Sequence, residues 1–234
     1  MPFYWDPYYT IILIPCIVLS GLTSLWVRSS FAKWSKTGAK AGYTGAQVAA
    51  MILQVEGVSG VRIELAQGFL SDHYDPTSKT LRLSPDNYNG RSIAALGVSA
   101  HEVGHAIQHA RSYALLGFRS TIVPLANIGS MLGPLLIFAG VAMQVSGLAL
   151  AGVVLFALMT LFTLVTLPVE FDASRRAMLA LEQGGILDRD ELKGARAVLR
   201  AAASTYVAAA LTAVVQLLYY LWRAGLLGGR RSND

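Results

Sequence analysis

The residues His101-Glu102-Val103-Gly104-His105 have the types and spacing of a zinc site with its own general base. Residues four apart lie on one face of a helix, so His101 and His105 can present ring nitrogens to a single ion. Glu102 lies one position further round the helix, where a carboxylate can take a proton from a metal-bound water. Ordinary residue usage rarely produces this pattern by chance. The motif therefore predicts a catalytic metal centre.

Catalytic zinc usually takes three protein ligands, so a third must come from elsewhere in the chain. His109 continues the four-residue spacing, but it lies two turns from His101 and has rotated away, and we expect a polar residue at the helix end. His73 lies on a predicted hairpin, where it could line a cleft, bind substrate or serve only structurally. Glu170 is the strongest candidate, whereas Asp172, two residues later, points to another face of its helix.

The composition is that of a membrane protein. Of the 234 residues, 54% are hydrophobic and only 14% are charged, whereas ordinary soluble domains carry about 25% charged residues. The net charge of +5 does not indicate nucleic-acid binding, because the basic residues flank apolar segments and form no patch interleaved with aromatic residues. Cys16, the only cysteine, lies in an apolar run, which excludes a disulfide framework within one chain.

About four apolar runs are long enough to cross a bilayer, at residues 10–27, 121–143, 147–168 and 203–222. The middle two are joined by a short uncharged link and predict a membrane hairpin, while polar residues dilute the last run. The first run lacks the basic start of a cleaved signal peptide, so we expect an uncleaved anchor. The expected organisation is an N-terminal transmembrane anchor over 1–28, a soluble domain with the motif helix over 29–120, a transmembrane hairpin over 121–168, cytoplasmic helices with Glu170 over 169–202, and a transmembrane or membrane-associated helix and tail over 203–234.

The soluble region between the first two spans predicts a small α+β unit. The fold class expected is therefore a mainly α integral membrane protein with about four transmembrane helices and a short sheet. The predicted elements are a helix from the capping box at Thr44 to about Glu56, a half-buried strand over 61–65, a hairpin with strands over 69–74 and 80–83, a loop over 85–90, and a motif helix capped by Ser92.

The basic residues set the expected orientation. They are abundant over 28–119 and 175–200 and absent from the N-terminus and the hairpin link, which places both basic regions in the cytoplasm. A hairpin returns the chain to the side it left, so Glu170 emerges beside the motif helix. It follows Pro168, at the start of a helix predicted to run through Leu181, and a carboxylate there needs a partner. Alternatively, Glu170 only stabilises that helix N-terminus electrostatically.

The end of the chain fits this orientation less well. Arg223, Arg230 and Arg231 fall on the outer side in a four-span arrangement, which weakly contradicts the positive-inside rule. If the last apolar run is only peripheral, the C-terminus stays inside.

Longer stretches of the chain resemble the YugP-type neutral zinc metallopeptidases of bacterial membranes. They are YWDP at 4–7, DHYDP at 72–76, YNG at 88–90, AHEVGHAIQH at 100–109, LPVEFDASRRA at 167–177 and the alanine-rich stretch 201–210. More distantly the chain is similar to membrane gluzincins, in which a glutamate on a later helix is the third ligand, followed by Ala and Asp three and four positions on. Here Ala173 matches, but Ser174 replaces the Asp that usually orients a ligating histidine. Asp172 or a backbone carbonyl is then expected in that role.

The resemblance implies a zincin-like metallopeptidase domain and a zinc metalloendopeptidase, with Zn²⁺ held by His101, His105 and Glu170 and with Glu102 as general base for a zinc-activated water. It implies a multi-pass protein of the bacterial inner membrane, and the basic residues place its active site at the cytoplasmic face. The partners implied are a peptide or protein substrate, possible membrane-protein substrates among them, and the lipid bilayer. The strand over 80–83 could pair with an extended substrate. Residues eligible by type to stabilise the oxyanion are His73, Tyr88, Asn127, Arg175 and Tyr206.

Two other functions remain open at this point. One is an intramembrane, site-2-like metalloprotease, although Arg91, Arg111 and Arg119 bracket a polar stretch and the partner Asp motif of that class is missing. The other is a non-catalytic membrane scaffold or chaperone stabilised by zinc. Glu102 is an argument against it, because a structural zinc site needs no general base and usually closes its fourth position.

Overall fold

The computed structural model describes residues 6–68 and 71–227, and the fold class expected from the sequence is confirmed. The described residues form a mainly α membrane protein with a small α+β part. The elements are α1 (Pro7–Trp34), α2 (Gly45–Val55), β1 (Arg62–Leu65), β2 (His73–Asp75), β3 (Thr80–Leu83), α3 (Pro85–Tyr88), α4 (Ile93–Ala110), α5 (Ala114–Ala142), α6 (Ser146–Gln183) and α7 (Arg189–Arg223).

Four of these helices are long and apolar enough to cross a membrane, namely α1, α5, α6 and α7. They include α7, whose apolar run is diluted by polar residues. Large apolar side chains such as Ile11, Ile17 and Met131 are more than half exposed on these helices. Lipid, which needs no polar surface, would cover such side chains.

The helix α6 continues through Pro168, so the prediction that a new helix begins there is wrong. A proline removes one backbone hydrogen bond, but helices of membrane proteins tolerate this loss. The helix ends at Gln183, two residues beyond the predicted Leu181, and is followed by Gly184 and by Gly185 with its φ of 60°. Glu170 therefore lies well inside a helix. The alternative that it only stabilises a helix N-terminus is excluded.

One compact unit contains the described parts of Met1–Leu22, Phe118–Leu167 and Tyr206–Asp234. In it α5 and α6 pack with their backbones in contact. A Cβ atom on Gly129 would lie 2.1 Å from the carbonyl oxygen of Leu155, and one on Gly140 would lie 2.3 Å from the amide nitrogen of Ala149. Small residues at such crossings are a common means of helix association in membranes.

The second compact unit comprises Thr23–Gly117 and Pro168–Thr205. Its capping box is confirmed, because the Gln47 backbone N–H donates to the Thr44 hydroxyl and the Thr44 N–H donates to the Gln47 side chain. The hairpin is also confirmed, with β2 antiparallel to β3. Its first strand begins at His73, and residues 69–70 lie outside the described part. The segment predicted to be a loop over 85–90 instead opens with the short helix α3, which has Pro85 at its first position.

The three strands are ordered β1-β3-β2, with β1 parallel to β3. The strand β3 is thus paired on both sides, and its main-chain groups are already used. The prediction that the strand over 80–83 pairs with substrate is therefore wrong. The edges of this sheet are β1 and β2.

The N-terminal end of α4 is held by two sets of hydrogen bonds. Ser92 caps the helix by accepting from the Ala95 N–H at 3.1 Å, as predicted. The segment after α1 pairs with the residues before α4, since the Ala39 N–H donates to Arg91 and the Ile93 N–H donates to Thr37. The start of the motif helix is therefore held in place by contacts that do not involve the motif residues 101–105.

Candidate metal centre

The motif glycine allows α4 and α6 to touch. A Cβ atom on Gly104 would lie 2.5 Å from the carbonyl oxygen of Ala173, and Ala173 itself is fully buried. Any side chain at position 104 would push the two helices apart. The close approach brings residues on either side of Ala173 to the face of α4 that carries the histidines.

His101, His105 and Glu170 converge at this crossing. The carboxylate oxygen Oε2 of Glu170 lies 3.2 Å from Nε2 of His101 and 3.6 Å from Nε2 of His105. One potential ligand atom from each residue lies within 4.8 Å of the others. Tetrahedral zinc with ligand distances of about 2.0–2.1 Å holds its donor atoms about 3.3 Å apart. The three side chains thus fit one zinc ion, the cofactor expected from the sequence.

The electrostatics of the cluster favour positive charge. Burial works to lower the pKa of His105, but the hydrogen bond to Glu170 and the charge of Glu102 outweigh it, so the pKa is raised. Burial likewise works to raise the pKa of Glu170, but the hydrogen bonds to both histidines lower it well below its usual value. The side chain of Glu170 is only 2% exposed. A buried carboxylate that stays ionised needs a cationic partner, which a metal ion would be.

The second nitrogen of each histidine also has a partner. Nδ1 of His101 lies 3.1 Å from the hydroxyl oxygen of Ser174, and Nδ1 of His105 lies 3.0 Å from Oε1 of Gln108. The expectation that Asp172 or a backbone carbonyl takes this position directly is therefore wrong. Ser174 itself lies beside the His101 ring, which an aspartate at position 174 would orient. Asp172 instead accepts a hydrogen bond from the Gln108 side chain. The sequence contained a signal for Gln108, because it lies three residues after His105 on the same helix face.

Asp172 is held by basic side chains of its own helix. Burial works to raise the pKa of Asp172, but hydrogen bonds from Arg176, Gln108 and Arg175 lower it. Arg176 Nε lies 2.6 Å from one carboxylate oxygen, and Arg175 pairs with the other. Both carboxylate oxygens are thus engaged, and Asp172 is not in the cluster of three.

The remaining candidate residues lie in several places. Glu102 is 9% exposed on α4, next to the histidine pair. His109 lies in the last turn of α4, with Nδ1 2.9 Å from the hydroxyl of Tyr74 on β2. His73 is exposed on β2, with Nδ1 2.8 Å from the Ser71 carbonyl oxygen. Of the other residues eligible as oxyanion donors, Tyr88 and Arg175 belong to the same compact unit as the cluster, and Asn127 and Tyr206 belong to the other.

Comparisons with known proteins give two matches, each of which covers most of the chain. A family model described as "Putative neutral zinc metallopeptidase" matches residues 9–225, which include both helices of the cluster. The curated "Putative membrane protease YugP" of Bacillus subtilis (strain 168) is 43% identical over 220 residues, which cover 94% of this chain and 97% of that protein. No solved structure matches the chain.

Proposed function

Since the chain belongs to this family of neutral zinc metallopeptidases, we propose that it is a membrane-bound zinc endopeptidase. The observation that carries the proposal is the convergence of His101, His105 and Glu170, together with the buried carboxylate Glu102 between the two histidines on α4, whose charge acts on His105. Its substrates are peptides or proteins, membrane proteins among them. The ligand set, two motif histidines and a glutamate from a later helix, is of the gluzincin kind.

The mechanism assigns a separate task to each side chain. His101, His105 and Glu170 would hold the ion, which when bound would polarise a water molecule and the scissile carbonyl. Glu102 accepts a proton from that water as the water oxygen bonds to the carbonyl carbon. It then gives the proton to the leaving amine as the C–N bond breaks. The carboxylate returns to its starting state, as a catalyst must.

Two observations favour this function over the alternatives. Among the described helices, α4 is not one of those long and apolar enough to cross a membrane, and it packs against α2 and the sheet. This disfavours intramembrane proteolysis, which needs the motif within a span. A non-catalytic zinc scaffold has no use for Glu102, which lies in the motif as a general base would.

We further propose that the active site faces the cytoplasm of a bacterial cell and that α7 crosses the inner membrane. The distribution of basic residues supports the orientation. Asp6 supports the fourth span, because it accepts a hydrogen bond from the Tyr219 hydroxyl at 2.6 Å and lies 3.3 Å from Nε of Arg223. The start of α1 and the end of α7 thus lie together, which supports an even number of crossings. The same pairing gives Arg223 an anionic partner on the outer side.

Reporter fusions test this topology. Alkaline phosphatase, which is active only outside the cytoplasm, is expected to be active when fused after Ser146 or Asp234 and inactive when inserted after Thr77. Green fluorescent protein is expected to give the opposite pattern. A fluorescent fusion at Asp234 would contradict the fourth span, and phosphatase activity at Thr77 would contradict the cytoplasmic site.

Metal removal tests the enzymatic proposal. Purified protein in detergent is expected to hydrolyse unfolded casein and to contain about one zinc per chain. The chelator 1,10-phenanthroline should stop hydrolysis and added zinc should restore it, because the site needs the ion to polarise water. The isomer 1,7-phenanthroline, which cannot chelate, is the matched control. Hydrolysis that survives removal of the metal would rule the proposal out.

A further inference from the structure

The side chain of Gln108 is fully buried between α4 and α6, and all its hydrogen-bonding groups face named partners. Its Nε2 lies 2.8 Å from the carbonyl oxygen of Val169 and 2.9 Å from a carboxylate oxygen of Asp172. Both partners are acceptors. The end of the amide that faces them must therefore be the NH₂ group, which has two hydrogens to donate.

The orientation of this amide determines the state of His105. With its NH₂ directed to α6, Gln108 presents only an oxygen to Nδ1 of His105, 3.0 Å away. That nitrogen must then carry the hydrogen. The lone pair of the neutral ring is left on Nε2, the atom 3.6 Å from the Glu170 carboxylate. This is the tautomer that a metal-ligating histidine needs in order to bind through Nε2.

His101 has no comparable constraint. Its neighbour at Nδ1 is the Ser174 hydroxyl, which can donate or accept and therefore permits either tautomer. Asp172, which accepts from Gln108, is itself held in place, because Nε of Arg176 donates to its carboxylate at 2.6 Å. The position of the Gln108 amide is thereby fixed as well. The route from Arg176 through Asp172 and Gln108 to His105 joins the helix that carries Glu170 to the helix that carries the histidines.

We propose that Gln108 is the positioning residue for His105. It fixes the tautomer and direction of the ring, and Asp172 acts on the metal only through it. The inference rests on the proposed function, since it assumes that His105 binds zinc. Partners of this kind typically change metal affinity by about 10–100-fold.

Two substitutions of similar size separate hydrogen bonding from packing. Gln108→Met fills the same space but offers no acceptor of useful strength, and zinc affinity is expected to fall by about 10–100-fold. Gln108→Glu has nearly the same size and keeps an acceptor oxygen for Nδ1 of His105, so its affinity should stay much closer to wild type than that of Gln108→Met. Zinc affinity is measured by competition with a chelator, and the visible spectrum of the Co²⁺-loaded protein reports the ligand geometry. Gln54→Met, the same change at an exposed position on α2, is the control.

A double-mutant cycle tests the route through Asp172 even if Gln108→Glu folds poorly. Asp172→Ala alone should weaken zinc binding less than Gln108→Met does, and it should add no further loss in the Gln108→Met background. The control is Asp190→Ala. Like Asp172, Asp190 pairs with a basic side chain three residues later, but its own side chain is 88% exposed, so its loss should leave zinc affinity unchanged. Equal affinities for Gln108→Met and Gln108→Glu, or additive losses in the cycle, would overturn the inference.

The outcome for wild type separates this inference from the proposed function. A wild-type protein that binds no zinc and does not cleave casein contradicts the proposed function itself. A wild-type protein that binds zinc while Gln108→Met binds it equally well contradicts only the role of Gln108.

Discussion

Replacing Glu102 with glutamine is expected to lower the kcat for casein hydrolysis by about 10²–10⁴-fold while the protein keeps its zinc. An amide has nearly the shape of the carboxylate but cannot accept the proton of the attacking water. Glu102 is not one of the cluster of His101, His105 and Glu170, but its charge acts on His105. The substitution therefore removes the proposed general base and leaves the proposed metal ligands in place. Casein cleavage and zinc content are measured on the same preparation.

The matched control is Glu182→Gln, the same change at an exposed position near the end of α6. It should have wild-type activity and wild-type zinc content. Retained hydrolysis in Glu102→Gln would show that the general base is another residue. Lost zinc together with lost hydrolysis would instead place Glu102 among the residues that hold the ion.

Local features of this chain could be predicted from its sequence because their causes are local. The capping box at Thr44 and the cap at Ser92 each depend on residues within three positions. The histidine pair depends only on helical spacing. Glu170 is a longer-range prediction, and it came from topology and the family resemblance together. The structure does bring its carboxylate beside both histidines.

Other features could not be predicted because they depend on contacts between distant segments. The strand β3 is central because it also pairs in parallel with β1. Parallel strands are not joined by a short turn, so no local sequence signal predicts this pairing. The partners of the histidine rings depend on the close crossing of α4 and α6, which the lack of a side chain at Gly104 permits. Gly104 was visible in the motif, but only the structure shows that Ala173 lies against it. The positions of Gln108 and Ser174 follow from that crossing.

Replacing Glu170 with alanine is expected to reduce zinc affinity by more than about 100-fold. That is more than the loss expected for residues that hydrogen-bond to a ligand without touching the metal, such as Gln108. The substitution removes the only carboxylate in the cluster and leaves two of the proposed ligands, both histidines, where catalytic zinc usually has three protein ligands. It also removes the negative charge that favours a cation at this buried position. Zinc retained per chain is measured after dialysis against a chelator, and anomalous scattering at the zinc edge locates the ion.

Asp172→Ala is the most informative comparison for Glu170→Ala, because it also removes a carboxylate from α6, only two residues away. The carboxylate of Asp172 accepts hydrogen bonds from Gln108, Arg175 and Arg176. Loss of this carboxylate should therefore weaken zinc binding only through its effect on Gln108. The affinities should therefore fall in the order Asp172→Ala, Gln108→Met, Glu170→Ala, with the last the weakest. Unchanged zinc in Glu170→Ala would contradict the third ligand, and a larger loss in Asp172→Ala would move that role to Asp172. The order distinguishes a ligand from a residue that acts through one, since only the loss of a ligand removes a bond to the metal itself.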